Sequence, residues 1–241
     1  MGDTSFLVDP MLSPKGAMDP VGNAGNDIRI PMVELPFGSD KLTALLSEVD
    51  AVLVTHTHRD HWDAVAQQMI DKLKPIFCQP ADLDKIRGQG FANVTAIGDK
   101  DQFKSITIHR TGGQHGTGET GQRMGTVSGF VLDSGGERLY IAGDTIWCTQ
   151  VEEALMKFRP QTSIVNCGGA EFLTGGPITM TAEDVLKVAS TDNKMQTVAV
   201  HMDTVNHCRV TRGVLRDYLS QLKSVMQISI PADGQSVDGR R

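Results

Sequence analysis

Short apolar runs alternate along this chain with longer segments in which apolar positions recur every three or four residues. The short runs, rich in Val, Ile and Ala, are typical of buried strands, and the periodic segments are typical of amphipathic helices. The predicted strands cover residues 5–8, 51–55, 75–78, 94–97, 105–109, 127–132, 138–142, 163–166 and 198–201. The predicted helices cover residues 40–47, 62–73, 81–87, 151–158, 182–190 and 214–222. Strands that alternate with helices predict a layered α/β fold.

Local signals support two of these boundaries. Thr181 is a plausible N-cap for the helix at 182–190, and Asp184 three residues later makes a weaker form of the capping box. The run Ser134-Gly135-Gly136-Glu137 between two strands predicts a hairpin turn. No repeat, low-complexity segment or linker divides the sequence. We therefore expect residues 1–241 to form a single domain.

The loop after the predicted strand at 51–55 carries a dense cluster of polar side chains. Its sequence is Thr55-His56-Thr57-His58-Arg59-Asp60-His61. A loop that leaves a buried strand can turn several side chains toward one point, and imidazole nitrogens with a carboxylate oxygen suit a divalent metal such as zinc, manganese or iron. The alternative is a histidine-rich surface loop that binds nothing.

The pattern His-x-His-x-Asp-His after an apolar strand resembles the signature of the metallo-β-lactamase-fold hydrolases. This resemblance implies a four-layer αββα sandwich, in which helices cover two sheets and the metals sit at one sheet edge. Within the superfamily, the nearest resemblance is to the branch that contains L-ascorbate-6-phosphate lactonase. It is carried by Leu7-Val8-Asp9-Pro10-Met11, Thr57-His58-Arg59-Asp60-His61-Trp62-Asp63 and Tyr140-Ile141-Ala142-Gly143-Asp144-Thr145. Residues 13–37 and 170–181 look particular to this protein, so the resemblance transfers no substrate.

Three later strand ends carry further residues that can ligate a metal. His115 lies in a glycine-rich loop, Asp144 follows a buried strand in Gly-Asp-Thr, and His201 ends another apolar strand. Their order along the chain is the family order. The resemblance therefore implies two divalent metal ions, zinc or manganese: one held by His56, His58 and His115, the other by Asp60, His61 and His201, with Asp144 bridging both.

Each of these later assignments has an alternative. His109 lies six residues before His115 and could be the ligand instead, although the alternating run Ile106-Thr107-Ile108-His109 favours a strand position. A lone histidine such as His201 is often a core residue, and Asp144 could cap a turn. The position of all three at strand ends, in the family order, favours metal ligation.

The implied site predicts hydrolytic chemistry. Two cations that share a water lower its pKa toward about 7 and supply a metal-bound hydroxide at neutral pH. We expect attack on a small ester, lactone or phosphoester, with Asp60 as the catalytic residue that orients the nucleophile and carries a proton to the leaving group. The alternatives are a nuclease or phosphodiesterase of the same fold, a non-catalytic metal-binding relative and, as a minor option, iron-dependent oxygen chemistry as in persulfide dioxygenases.

Composition narrows the range of partners. The net charge of −6 and the scattered Lys and Arg residues argue against nucleic acid. No apolar run approaches the roughly 18 residues of a membrane helix, and the N-terminus has no signal-peptide pattern. The four cysteines have no paired spacing and are typical of reduced thiols. We therefore expect a cytoplasmic protein that acts on a small molecule, without nucleic-acid or membrane partners.

Substrate contacts are predicted at positions beside the metal motifs. These are Arg59, Arg123, His207 and Arg209, each of which could instead be a surface side chain. Residues 116–121 contain too many glycines for a rigid element and are predicted to form a mobile flap. Cys148 and Cys167 follow strands near the proposed site but have no adjacent base, so we expect inert thiols.

By the resemblance, the first strand of the fold is apparently absent, since the sequence begins at what should be the second strand. The segment at 4–8 would then lose one hydrogen-bonded neighbour. An unpaired edge strand invites pairing with another chain or leaves the terminus poorly ordered. We therefore expect a marginally stable N-terminal edge or a homo-oligomer that forms through it.

Overall fold

Residues 1–222 and 226–238 are described by a computed structural model of the chain, in which they form two sheets with covering helices. The first sheet is parallel, and its strands lie in chain order: β1 (Phe6–Val8), β2 (Ala51–Val54), β3 (Ile76–Cys78) and β4 (Val94–Ala96). Strand β2 is buried along its whole length. Val52 packs on the helix side of the sheet and Leu53 packs toward the second sheet, which explains the continuous apolar run.

The second sheet has seven strands among the described residues, in the spatial order β11-β10-β9-β8-β7-β6-β5. They are β5 (Lys100–Phe103), β6 (Ile106–Gly112), β7 (Ser128–Asp133), β8 (Arg138–Ile141), β9 (Thr162–Asn166), β10 (Gln196–Val200) and β11 (Ile228–Ser229). Strands β5 to β8 pair antiparallel and β8 to β11 pair parallel. The parallel strands β8, β9 and β10 therefore end at one edge of the sheet.

The described residues form seven helices, and six of them cover the outer faces of the two sheets. The seven helices are α1 (Ser39–Glu48), α2 (Ala64–Met69), α3 (Leu83–Gly88, preceded by a 3-10 turn at Pro80–Asp82), α4 (Gly118–Met124), α5 (Thr149–Phe158), α6 (Ala182–Thr191) and α7 (Arg212–Ser220). One apolar core joins the first sheet to α1, α2 and α3, a second lies between the sheets, and a third joins the second sheet to α5, α6 and α7. This layering confirms the predicted αββα sandwich.

The predicted strands and helices are all present, with some ends shifted. The capping box at Thr181 and Asp184 forms as expected, and the Ser134–Glu137 turn joins β7 to β8. Two strands of the second sheet were missed. Strand β5 has mostly exposed residues without an apolar alternation, because it lies at the sheet edge, and β11 is only two residues long.

Helix α2 is much shorter than the predicted helix at 62–73. It begins after Asp63, whose carboxylate accepts hydrogen bonds from the backbone N–H groups of Ala66, Leu12 and Ser13. It ends at Met69, since Ile70 is extended. The buried carboxylate therefore caps the helix and also ties it to the loop after β1.

The segment 116–121, predicted to be a mobile flap, includes the start of a helix, since α4 begins at Gly118. Its mobility stays a prediction. Two of its glycines lie in close packing: a Cβ on Gly121 would lie 2.7 Å from the carbonyl oxygen of Gly116, and a Cβ on Gly116 would lie 2.8 Å from Ile178 Cγ2. These glycines permit close contact between the loop and the first turn of α4.

Strand β1 pairs with β2 and with no other strand of the described residues. Self-association through this edge stays a prediction. The four cysteines are free thiols, of which Cys78 and Cys167 are buried. Among the described residues, no helix combines the length and the apolarity that a membrane span needs.

Candidate metal centre

The loop after β2 is anchored to the loop after β1 through one carboxylate. Asp9 accepts hydrogen bonds from the Thr55 backbone N–H (2.7 Å) and from Thr55 Oγ1 (2.6 Å). Asp9 itself has a left-handed backbone with φ of 46°. At the other end of the loop, the N–H groups of His61 and Trp62 donate to the carbonyl of His58 and close a turn. The histidine motif therefore lies at the carboxyl ends of β1 and β2, which are paired parallel strands.

Three imidazoles meet on one side of the centre. His56, His58 and His115 each offer a ring nitrogen, and these nitrogens all lie within 4.8 Å of one another. The closest pair is His56 Nε2 and His58 Nδ1, 3.0 Å apart. His109, the alternative to His115, lies in β6 and packs against Phe158 with tilted rings, so the structure places it outside this group.

A second group contains carboxylates. Donor atoms of Asp60, His61, Asp144 and His201 also lie within 4.8 Å of one another. His61 Nε2 and His201 Nε2 are 3.1 Å apart, and Asp60 Oδ2 is 3.6 Å from His201 Nε2. His201 follows β10 with a left-handed φ of 64°, which is rare for a non-glycine residue and typical of functional sites.

Asp144 lies between the two groups. Its Oδ2 is 3.1 Å from His61 Nε2, 3.7 Å from His115 Nε2 and 4.0 Å from His56 Nε2. Asn166 Nδ2 donates to Asp144 Oδ1 over 2.7 Å and fixes the carboxylate. One carboxylate therefore lies close to imidazole nitrogens of both groups.

A glycine makes this position possible. Gly143 has a φ of 67°, and a Cβ there would lie 2.9 Å from the Ser128 carbonyl oxygen and 3.1 Å from Thr55 Cβ. Any larger residue would push the Asp144 loop away from the loop after β2.

The far nitrogens of four histidines are held by neighbouring groups. The contacts are His56 Nδ1 to Thr55 Oγ1 (3.1 Å), His61 Nδ1 to Asp9 Oδ2 (2.9 Å), His115 Nδ1 to the Ile178 carbonyl (2.8 Å) and His201 Nδ1 to Cys208 Sγ (3.8 Å). Such contacts orient imidazole ligands so that Nε2 points to a metal. The sequence analysis missed Asp9, Ile178 and Cys208 in this role. Only Asp9 had a signal, as the carboxylate that follows a predicted strand.

The charges of the two groups differ. Burial and the neighbouring imidazoles lower the pKa of His56 and His58, which leaves both neutral. Burial also opposes a charge on His61, but the carboxylates of Asp144 and Asp60 outweigh it and raise the pKa of His61 to about 10. The buried carboxylates of Asp60 and Asp144 are therefore stabilised by a nearby positive charge, and the neutral imidazoles of His56 and His58 have lone pairs that can bind a cation. This donor set fits divalent cations.

A cavity of about 240 Å³ opens onto the centre. It is lined by Val21, Gly22, His58, Arg59, Asp60, His115, Met124, Asp144, Phe172, Ile178 and His207. Its apolar wall comes from residues 13–37 and 170–181, the segments that look particular to this chain, and from α4. The predicted contacts Arg59 and His207 thus line the cavity.

The other two predicted contacts lie elsewhere. Arg123 lines an adjoining cavity of about 500 Å³ with Gly22, Asn23, Met124 and Phe172. Arg209 lines neither cavity: its guanidinium lies 3.4 Å from a Glu171 carboxylate oxygen and donates to the Ala24 carbonyl. Cys167 is buried, and burial raises the pKa of its thiol to about 12, which agrees with an inert thiol.

Known proteins resemble this chain along most of its length. A family model described as "Beta-lactamase superfamily domain" matches residues 4–202. The UPF0173 protein YddR of Bacillus subtilis is 35% identical over 235 residues, which cover 96% of this chain and 91% of that protein.

Two solved structures are similar in fold and sequence. A possible metal-dependent hydrolase from Veillonella parvula has a TM-score of 0.91 and 36% identity, covering 98% of this chain and 92% of the other. An isothiocyanate hydrolase from Delia radicum gut bacteria has a TM-score of 0.88 and 38% identity, covering 95% and 90%. The narrower resemblance to the lactonase branch stays a prediction.

Proposed function

Since this chain belongs to the family described as the Beta-lactamase superfamily domain and is a metal-dependent hydrolase of that fold, we propose that its metal centre is dinuclear and acts on a small electrophile. The observation that carries this proposal is the position of Asp144. Its Oδ2 lies within 4.0 Å of imidazole nitrogens from both ligand groups. A site for one cation would not need a carboxylate between two complete sets of donors.

The seven residues would divide between two cations. His56, His58 and His115 would hold one, and Asp60, His61 and His201 would hold the other, with Asp144 shared. Zinc or manganese suits this mixture of imidazole nitrogen and carboxylate oxygen. Two such cations, when bound, lower the pKa of a shared water toward about 7 and polarise the electrophilic centre of a substrate.

Asp60 would be the catalytic carboxylate. It lines the cavity, and its Oδ2 is 3.8 Å from His61 Nε2. Burial favours its neutral form, but the imidazoles of His61 and His201 outweigh burial and hold the pKa of Asp60 below its usual range. Asp60 is therefore a carboxylate at neutral pH, which can orient a water by accepting its hydrogen bond and then move a proton toward the leaving group.

The cavity favours a small substrate with an apolar part. Its volume of about 240 Å³ is below the usual range for drug-sized ligands, and Val21, Met124, Phe172 and Ile178 form its wall. An ester, a lactone or an isothiocyanate presents an electrophilic carbon that water can attack. The isothiocyanate belongs in this set because the similar protein from Delia radicum gut bacteria acts on that group.

Phosphoester hydrolysis is a second candidate, favoured by two arginines. Arg59 lines the cavity and Arg123 lines the adjoining one. Both are exposed, and neither guanidinium forms a hydrogen bond or an ion pair with another described residue. A free guanidinium can bind a phosphate through two parallel hydrogen bonds. The net charge of −6 opposes a long nucleic-acid substrate, so a small phosphoester is the form of this candidate that we retain.

The test combines metal analysis with a hydrolysis panel. The zinc- or manganese-loaded protein is assayed on p-nitrophenyl acetate, γ-butyrolactone, benzyl isothiocyanate and p-nitrophenyl phosphate. We expect about two metals per chain and activity on a neutral substrate, lost on chelation and restored by metal. Asp60→Ala should lower kcat by roughly 100- to 10,000-fold because it removes the proton-handling group.

Asp101→Ala is the matched control, since Asp101 is an exposed carboxylate in edge strand β5. Activity that survives complete removal of metal would overturn the hydrolase mechanism. Full metal loading without activity on any substrate would favour the non-catalytic metal-binding relative. Activity on the phosphoester alone would favour the second candidate.

A further inference from the structure

His207 is a buried imidazole in the cavity wall whose ring has no hydrogen-bond partner among the described residues. The residue is only 6% exposed, and it lines the same cavity as Asp60 and His58. Its backbone is fixed, because its carbonyl accepts a hydrogen bond from the Glu171 N–H. Buried polar groups are normally paired, and an unpaired one in an active-site cavity points to a ligand that completes it.

The two ring nitrogens of His207 have different surroundings. Nδ1 is fully buried and has no partner. Among the described residues, Nε2 has no partner either, but it is not fully buried, so it is the nitrogen that can reach the cavity. A buried N–H without an acceptor is rarer in proteins than a buried acceptor without a donor. The favoured tautomer therefore leaves Nδ1 bare and places the ring proton on Nε2.

The surroundings of His207 keep its ring neutral and restrict the orientation of the ring plane. Burial lowers the pKa of His207 to about 4, and cations in the neighbouring centre would oppose protonation further. The Phe172 ring stacks on the imidazole, with ring centroids 5.8 Å apart and an angle of 21° between the planes. His207 is thus an uncharged donor with a restricted direction.

We propose that His207 donates a hydrogen bond from Nε2 to the acceptor atom of the substrate's reacting group, and that this contact selects uncharged electrophiles. The proposal rests on the proposed function and names its substrate class. A neutral N–H pairs with a carbonyl oxygen or with the nitrogen or sulfur of an isothiocyanate, without the charge that favours a phosphate. The apolar wall of Val21, Met124 and Phe172 would take the substituent of the same substrate.

Two substitutions separate hydrogen bonding from packing. His207→Leu fills the space without a donor, whereas His207→Gln keeps a neutral N–H near the position of Nε2. We expect His207→Leu to keep its metals and to lose roughly 10- to 100-fold in kcat/KM on neutral substrates, since one aimed donor is removed. His207→Gln should recover most of that loss. His109→Gln, a histidine outside the centre, is the matched control and should match the wild type.

The kinetic results can overturn the proposal in two ways. If His207→Leu retains wild-type kcat/KM on every neutral substrate, His207 does not contact the reacting group. If His207→Gln is as impaired as His207→Leu while both keep their metals, the ring acts through packing alone.

A readout independent of activity separates this proposal from the proposed function. Nitrogen-15 NMR of the histidine rings in the zinc-loaded protein, assigned with His207→Gln, should show a protonated Nε2 and a bare Nδ1. A proton on Nδ1 or a bare Nε2 overturns the proposal even if the protein is an active hydrolase. The expected tautomer in a protein that hydrolyses nothing would contradict the proposed function and leave His207 as a binding donor. γ-Butyrolactone, as a small neutral probe that is then not hydrolysed, should bind His207→Leu at least about threefold more weakly than wild type.

Discussion

The two halves of the metal centre use the same kind of residue in different electrostatic settings. The trihistidine subsite consists of His56, His58 and His115, and burial together with the neighbouring imidazoles lowers the pKa of His56 and His58. The carboxylate subsite, Asp60, His61 and His201, has imidazoles whose pKa values are raised, because nearby carboxylates outweigh burial. Without metal, protons on His61 and His201 thus supply the positive charge that the carboxylates require.

This difference indicates what controls metal binding on each side. In the trihistidine subsite, a cation meets lone pairs that are already free, so geometry decides its affinity. In the carboxylate subsite, a cation must displace protons, so its affinity also depends on pH and on the groups that orient the ligands. Asp9 is the strongest of those groups, with its carboxylate 2.9 Å from His61 Nδ1.

The largest expected effect comes from removing one ligand on each side. His58→Ala and His201→Ala should each lower the metal content from about two to about one per chain, because each removes a donor from a different subsite. Both should lower kcat by roughly 1,000-fold or more, since a dinuclear site needs both ions. Elemental analysis after gel filtration measures the metal. If both variants keep full loading, the ligand assignment is wrong.

An intermediate effect is expected from the carboxylate behind His61. Asp9→Asn keeps the shape of the side chain but removes its charge, so it should weaken metal binding at the carboxylate subsite roughly 10- to 100-fold. Competition with a fluorescent chelator would measure one weakened site and one site near the wild-type affinity. Asp19→Asn is the control, because Asp19 is an exposed carboxylate paired with Arg29. Equal weakening of both sites would contradict the difference between the subsites.

The smallest effect concerns the pH dependence of stability. A raised pKa on His61 contributes stability that is fully present below about pH 6.5 and is lost as the pH rises through about 10. The melting temperature of the chelator-treated protein should therefore fall between pH 6.5 and 10, by roughly 5 °C or more. The zinc-loaded protein should change less, because a cation takes the place of the proton. Thermal scans of both forms test this, and parallel curves would contradict it.

The ligand positions could be predicted from the sequence because each directly follows a strand. His56, His58, Asp60 and His61 follow β2, Asp144 follows β8 and His201 follows β10. Strand β2 belongs to the first sheet, and β8 and β10 belong to the second. Parallel strands end at one edge of their sheet, and the packing of the two sheets brings these two edges together. The element types were predicted for the same reason, since buried strands and amphipathic helices leave distinct apolar periods.

Two predictions of local structure differ from the structure, each because of a contact that the local sequence pattern does not show. The helix predicted at 62–73 was too long because the periodic pattern does not show that Asp63 caps the chain at that point. The glycine count at 116–121 did not show that α4 begins at Gly118 or that Gly116 and Gly121 permit close packing. In both places the deciding contact was with residues from another part of the chain or with the next turn of backbone.

The sequence by itself determined the layered α/β fold and the residues that could bind metal, because both depend on local period and on donor chemistry. Only the tertiary structure decided which groups hydrogen-bond to those ligands and which groups line the cavity next to them. Asp9 lies 47 positions before His56, and Phe172, His207 and Cys208 lie more than 110 positions after His61. No local pattern marks the contacts that these residues make. Packing between distant segments fixes the shape and polarity of the cavity, and therefore the substrate that it admits.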